Sequence, residues 1–178
     1  MTLHALLIGL LELMFVAWLL SAFGDWLCHR RTSIETTSGS RESALHVLLH
    51  LLIAVPIVLG LFLRIDALVL VLMAAGVIAH MAVSLWDTSD AQPRRFISPL
   101  EQQIHSYLEM LPVFALALIV LLHWNEVGQP VWRFERRANA LPTSWLAGVP
   151  IALAGGLLLI VEEWFRGRRA VAHRRIPS

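Results

Sequence analysis

Histidines and carboxylates recur at four-residue spacing inside segments that are otherwise apolar. The repeats are Asp25–His29, Glu42–His46–His50 and Glu101–His105–Glu109. Residues four apart on an α-helix lie on one face, so each segment would present a single polar stripe. His80 and Asp87, seven residues apart, would also share a face. Imidazole nitrogens and carboxylate oxygens are ligands for iron, manganese and zinc, so the pattern predicts a metal site.

The composition of the chain is typical of a membrane protein. Of its 178 residues, 57% are hydrophobic and 15% are charged, and the mean hydropathy is +0.68. The formal charge of +1 argues against a nucleic-acid partner, because such partners are bound by strongly basic surfaces. A single cysteine, Cys28, excludes an intrachain disulfide and a cysteine-based zinc cage.

Five apolar stretches are long enough to cross a hydrocarbon core, which takes about 20 residues. They cover residues 3–28, 42–63, 66–86, 100–124 and 144–164. The start, "MTLHALLIGL", lacks the basic region of a secretory signal, so the first stretch is expected to be a permanent span. The sequence therefore predicts one all-α transmembrane domain of five helices, with the polar site between helices 1–4.

Arginines predict the orientation, because short cytoplasmic loops carry an excess of positive residues. One side would hold Arg30, Arg31, Arg41, Arg94, Arg95, Arg166, Arg168, Arg169, Arg174 and Arg175. The other side would hold Arg64, Arg133, Arg136 and Arg137. The richer side is expected to be cytoplasmic, which places the C-terminus inside and the N-terminus outside. An inner, cytoplasmic membrane of the bacterial type is the expected location.

In this orientation the polar stripes of helices 1–4 all reach the cytoplasmic leaflet. The expected deep layer consists of His50, His80 and Glu109, and the shallower layer of Asp25, His46 and His105. An isolated charge at the centre of a bilayer costs roughly 2.5 kcal/mol or more, so such residues usually have a function. Two layers of this composition could hold one or two metal ions. Iron is favoured, and zinc or manganese would fit the same ligands.

Some candidate ligands have an alternative role in starting a helix. Ser98, Pro99 and Glu101 form an S-P-x-E start in which Glu101 could close a capping box instead of binding metal. Glu42 follows Ser40 in a first turn, where the helix dipole favours an acid. His29 lies near the water boundary but has Asp25 as a partner.

Other charged residues would act around the site and not as ligands. Asp87 would orient an imidazole or relay protons, and Glu12, in the middle of helix 1, would be a proton relay or a contact to a neighbouring subunit. Arg94 and Arg95 could bind an anionic head group, although the positive-inside rule also explains them. The adjacent acids at 162 and 163 are expected to be interfacial charges.

Two further features concern the space around the site. The stretch "VWRFERRANA", residues 131–140, would form either an interfacial helix or a surface loop. Pro56 and Pro112 lie inside spans, where proline bends a helix and frees a backbone carbonyl. Bends beyond the deep layer would open a cavity for an acyl or isoprenoid chain.

These residues predict a metal-dependent membrane enzyme, preferably a di-iron oxidoreductase, that acts on a hydrophobic substrate from the lipid. A zinc hydrolase of a lipid ester or amide, an ion or proton carrier, and a b-type cytochrome are the alternatives. The stretch "HVLLH", His46 to His50, is similar to the H-x-x-x-H box of membrane fatty-acid hydroxylases and desaturases. Their paired H-x-x-H-H boxes are absent, so the comparison is an analogy. Membrane lipids are the other expected partners, and an oligomer is left open.

Overall fold

The computed structural model describes residues 2–129, 132–138 and 141–174. The side chains of residues 173 and 174 are not described. Within those ranges the chain is helical apart from its connections and one isolated β-bridge. The helices are α1 (Leu3–Thr32), α2 (Ser40–Phe62), α3 (Ala67–Ala91), α4 (Pro99–Leu122), the short α5 (Trp124–Val127) and α6 (Thr143–Arg174), with a 3-10 turn at Ile34–Thr36.

Five helices, α1 to α4 and α6, are long and apolar enough to cross a membrane. This confirms the prediction of an all-α chain with five helices able to span a bilayer. The largest differences from the predicted bounds are at the ends of α3 and α6, which continue to Ala91 and Arg174. A hydropathy pattern marks where the apolar run ends, whereas the polar residues that follow can prolong the same helix. Residue 175 and the side chain of Arg174, both used to predict the orientation, lie outside the described residues.

The five long helices form a closed ring. Helix α1 packs on α4, α4 on α3, α3 on α2, α2 on α6, and α6 returns to α1. Because successive helices are joined by short links, the C-terminal ends of α1 and α3 meet the N-terminal ends of α2 and α4 at one end of the ring. The C-terminal part of α6 reaches the same end, where it packs on the 3-10 turn. We call this the polar end.

The connections at the polar end are made by residues suited to tight turns. Ser33, which follows α1, has φ of 51°, and Gly39, which precedes α2, has φ of 68°. Glycine adopts this left-handed region without strain, so the chain can reverse direction within a few residues. Ser98 begins α4, and its Oγ accepts a hydrogen bond from the Glu101 N–H at 3.2 Å.

An apolar core fills the middle of the ring. Its buried members are Trp18, Ile53, Ala54, Val77 and Leu153. Neither Pro56 nor Pro112 lines the cavity found in the described structure, which lies toward the polar end. The predicted space for a chain beyond the deep layer stays a prediction.

The opposite end of the ring carries the stretch predicted to be an interfacial helix or a loop. Its described residues, 132–138, are extended, and Arg136 forms an antiparallel bridge with Leu63. Arg137 donates from Nη2 to the Gly60 carbonyl at 2.7 Å, and burial lowers the pKa of its guanidinium. The helix interpretation is wrong for these residues. Residues 131, 139 and 140 lie outside the described ranges.

Helices α2 and α3 approach most closely where Pro56 interrupts the hydrogen bonding of α2. Because proline has no N–H, the Leu52 carbonyl lacks its helical donor. Gly76 of α3 packs there, and a Cβ at this position would lie 2.7 Å from Pro56 Cγ and 2.8 Å from the Leu52 carbonyl oxygen. Only a residue without a side chain fits this contact.

We expect Gly76→Ala to lower the free energy of unfolding by roughly 1–3 kcal/mol, the usual range for overpacking. Gly155→Ala is the matched control, because a Cβ at Gly155 would have no atom within 4 Å. Unfolding of both variants in mixed micelles would measure the difference. Equal stability of the two variants would contradict the close approach of α2 and α3.

Candidate metal site

His29 lies at the centre of a buried polar cluster at the polar end and is 1% exposed. Its Nδ1 is 3.1 Å from Glu163 Oε2. Its Nε2 is 3.5 Å from Asp25 Oδ1 and 3.4 Å from Glu101 Oε1. Asp25 also reaches His105, whose Nε2 is 2.8 Å from Asp25 Oδ1. One imidazole therefore joins side chains from α1, α4 and α6.

His46 of α2 forms the other half of the cluster. Its ring stacks on that of His29, with centroids 4.7 Å apart and planes inclined by 7°. Its Nε2 is 3.0 Å from Asp87 Oδ2, and its Nδ1 is 3.6 Å from Glu163 Oε1. Asp87 therefore orients an imidazole, the position that the sequence analysis expected for it.

Two groups of side chains are compact enough to hold a metal ion. Asp25, His29, Glu101 and His105 form the first, and His29, Glu42 and His46 form the second. Within each group, one ligand atom from every residue lies within 4.8 Å of the others. His29 belongs to both groups, and its Nε2 is the nitrogen that faces the acids of each.

Arg95 enters the cluster from the link between α3 and α4. It makes an ion pair with Glu101 at 2.6 Å and a second one with Glu42. Burial lowers the pKa of its guanidinium, but the hydrogen bonds to these carboxylates outweigh it, so the pKa is raised. With its side chain 3% exposed, Arg95 has no access to a head group at the surface, and that prediction is wrong for this residue. Arg94 is 36% exposed and pairs with Asp90.

Glu101 and Glu42, the two acids with an alternative role in starting a helix, both face the cluster. Ser98 caps α4, but the Glu101 carboxylate makes no hydrogen bond to the Ser98 N–H, so the capping box is not closed among the described residues. Glu101 is 0% exposed and faces His29 and Arg95. Glu42 is 1% exposed and likewise faces the cluster. Both acids therefore face the interior of the cluster, where Arg95 Nη2 lies between them and 3.4 Å from His29 Nε2.

The predicted deep layer does not come together as one set of ligands. His50 donates from Nε2 to the Leu153 carbonyl at 2.9 Å, and His80 donates from Nδ1 to the Leu49 carbonyl at 3.1 Å. Glu109 accepts a hydrogen bond of 2.6 Å from a serine of α3. A backbone carbonyl can only accept, so it fixes which nitrogen of each imidazole carries the proton. None of the three belongs to either compact group.

A cavity of about 70 Å³ connects the cluster with the deep histidines. The five histidines that line it are His29, His46, His50, His80 and His105. The acidic residues that line the cavity are Asp25, Asp87 and Glu163. The structure thus places every histidine of the predicted site around one small space, although only three of them belong to the compact groups.

Glu163 is the residue that the sequence analysis missed. It was expected to be an interfacial charge, but it is 2% exposed, contacts both stacked imidazoles and accepts from Ser43 Oγ at 2.9 Å. The signal that could have found it is the spacing to Gly156 and Gly167, which share its helical face. A Cβ at either glycine would press on α2, so this face of α6 is packed against the ring.

Glu12 lies apart from the cluster, toward the opposite end of the bundle. It is exposed and accepts a hydrogen bond of 2.9 Å from Nε1 of Trp145 at the start of α6. Its predicted role as a proton relay or subunit contact stays a prediction.

The sequence matches no family model, no curated protein and no solved structure at a significant level. The function therefore has to be inferred from the residues of the site.

We expect Arg95→Gln to lower the free energy of unfolding by about 3 kcal/mol or more, because it leaves Glu42 and Glu101 buried without their cation. Arg94→Gln is the matched control and should change stability by less than about 1 kcal/mol, since its ion pair is partly exposed. Thermal unfolding in detergent would measure the stability of both variants relative to the wild type. Equal effects would show that Arg95 does not compensate the two acids.

Proposed function

We propose that this protein is an integral-membrane, metal-dependent enzyme whose His/carboxylate site acts on a hydrophobic substrate from the lipid phase. A di-iron oxidoreductase is the preferred form of this proposal. The ions would lie in the two compact groups, and His29 Nε2 would bind one of them, because a ring nitrogen has a single lone pair. The side chains of Glu163 and Asp87 would orient the stacked imidazoles.

The observation that carries the proposal is the excess of buried negative charge. Five carboxylates, each at most 8% exposed, surround the cluster: Asp25, Glu42, Asp87, Glu101 and Glu163. Arg95 is the one arginine or lysine bonded to them within the described ranges. With neutral imidazoles, four negative charges would remain uncompensated, and buried charge of this kind is strongly unfavourable. Two divalent cations would neutralise it.

Protonated histidines are the other source of positive charge, because His29, His46 and His105 each lie within hydrogen-bond distance of a carboxylate. His29 and His46 stack almost parallel with centroids 4.7 Å apart. Two imidazolium rings at this distance would repel each other in a site of low dielectric constant. Even three protonated imidazoles, including His105, would leave one negative charge. Two divalent ions together with Arg95 would supply five positive charges, which equals the number of carboxylates.

The donor set supports iron over zinc. Carboxylate-rich sites with two or three histidines, built from facing helices of a bundle, are typical of di-iron and di-manganese proteins. Iron would supply oxidation of the substrate by dioxygen, whereas zinc would supply a bound hydroxide for hydrolysis. The chain itself excludes bulk water, because His29, Glu42 and Glu101 are each at most 1% exposed.

The alternatives predicted from the sequence receive less support. A carrier needs a polar path, but the apolar cluster around Trp18 and Val77 lies in the middle of the ring. A haem between histidines needs far more room than about 70 Å³, since small-molecule pockets usually exceed about 300 Å³.

The arginine distribution supports an orientation with the polar end in the cytoplasm. Arg30, Arg41, Arg94 and Arg168 all lie at this end of the described helices. In a bacterial inner membrane, the positive-inside rule would place them on the cytoplasmic side. The substrate would then reach the site from the cytoplasmic leaflet.

The test is elemental analysis of the detergent-purified protein and of matched variants. We expect about two equivalents of iron in the wild type and loss of at least one equivalent in Glu163→Gln and in His29→Ala. Glu163→Gln weakens the contact that orients the His29 imidazole, and His29→Ala removes that imidazole. Glu162→Gln is the control, since Glu162 is 48% exposed and pairs with Arg30 at the surface.

Zinc in place of iron would support the hydrolase form of the proposal. Absence of bound metal in the freshly purified wild type would contradict the proposal. Equal metal content in Glu163→Gln, His29→Ala and Glu162→Gln would contradict the assignment of the site.

A further inference from the structure

The lining of the cavity beside the cluster includes a buried tryptophan whose N–H has no acceptor among the described residues. Trp18 lines the cavity and is 5% exposed, and its Nε1–H has no hydrogen-bond partner among the described residues. The indole packs against the rings of Phe15 and His50, whose centroids lie 6.5 Å and 5.8 Å from the indole centroid. A buried donor left unpaired is unfavourable by roughly 1–3 kcal/mol. A molecule in the cavity with an acceptor atom would relieve this penalty.

The lining of the cavity restricts the charge of such a molecule. Asp25, Asp87 and Glu163 line the same space and no described arginine does, so the lining offers no guanidinium to pair with an anionic group such as a carboxylate. Leu49 and Leu108 form an apolar part of the wall, which favours hydrocarbon over a hydrated ion. A neutral oxygen on an apolar chain combines the two properties.

The dimensions of the cavity restrict the size of the molecule. A volume of about 70 Å³ holds only a few non-hydrogen atoms, since a water molecule takes about 30 Å³ in the liquid. Trp26 of α1 and Ile160 of α6 line the cavity and are also partly exposed, so a displacement of these two side chains would connect the cavity with the flank of the bundle. The end of a chain can therefore enter while the rest stays in the lipid.

We propose that this cavity binds the neutral, oxygen-bearing end of a slender apolar chain, a fatty alcohol or fatty aldehyde, with Trp18 as the donor to that oxygen. The bound end would lie beside His29 and Asp25, which line the same cavity. This inference names the substrate class for the metal site, and its catalytic meaning rests on the proposed function. Binding of the chain can be measured separately from metal binding.

The experiment uses the full chain in lipid nanodiscs and a photoreactive octanol that carries a diazirine on its chain. Adducts are mapped by mass spectrometry, with 1-octanol, octanal, octanoate and octane as competitors. We expect saturable labelling around the cavity that octanol or octanal displaces at least tenfold more effectively than octanoate or octane. The competitor that displaces the label more effectively, octanol or octanal, identifies the ligand class as an alcohol or an aldehyde.

The donor is tested by replacing the indole of Trp18 with a benzothiophene through an unnatural amino acid, which keeps the ring shape but removes the N–H. We expect competition by octanol to weaken roughly three- to tenfold, the contribution of one hydrogen bond. The same replacement at Trp145 is the control, since its N–H donates to Glu12 and it does not line the cavity.

Three results would overturn the inference. They are equal competition by octane and octanol, no effect of the replacement at Trp18, and no saturable labelling, which would indicate that the cavity holds only water. Metal content is measured on the same samples. Loss of chain binding with the metal retained would refute this inference alone, whereas a metal-free protein that still binds octanol would refute the metal site alone.

Discussion

Buried negative charge at the polar end is the constraint on which the arrangement of this protein depends. Asp25, Glu101 and Glu163 come from three different helices and meet around one imidazole, that of His29. Carboxylates brought so close in a medium of low dielectric constant repel one another strongly. The bundle can close there only if cations are held among them. Arg95 supplies one positive charge, and the remaining excess is the physical reason for proposing a metal site.

The ring of helices explains how so many polar groups are kept away from water and lipid. Each long helix turns one polar stripe inward and leaves apolar side chains such as Leu20, Val55 and Leu158 exposed on its outer surface. Helix α6 closes the ring, and its glycines allow it to approach α2, where a Cβ at Gly167 would lie 2.9 Å from the Ser40 nitrogen. Without this fifth wall, the stacked imidazoles would be exposed on the side of the bundle that α6 now covers.

The polar stripes are the part of the site that local sequence pattern predicts well. Four-residue spacing on one helix brings Asp25 close to His29 whatever the tertiary structure, since helical geometry alone sets their separation. The pattern is less informative about depth and partners. His80 was expected to be a ligand, but in the structure it donates to a backbone carbonyl, and such a contact leaves no trace in residue spacing. Arg95 also looked like a surface charge, because the positive-inside rule explains any arginine in a short loop.

The sequence by itself determined the five apolar helices, because hydropathy and length depend only on consecutive residues. It also determined which residues share a helical face. Only the tertiary structure decided that Glu163 lies inside and Glu162 outside, since adjacent helical residues point about 100° apart and either could face the ring. It likewise decided that Arg95 is buried between two acids. Contacts between distant helices depend on the packing of the whole ring, and no local pattern contains that information.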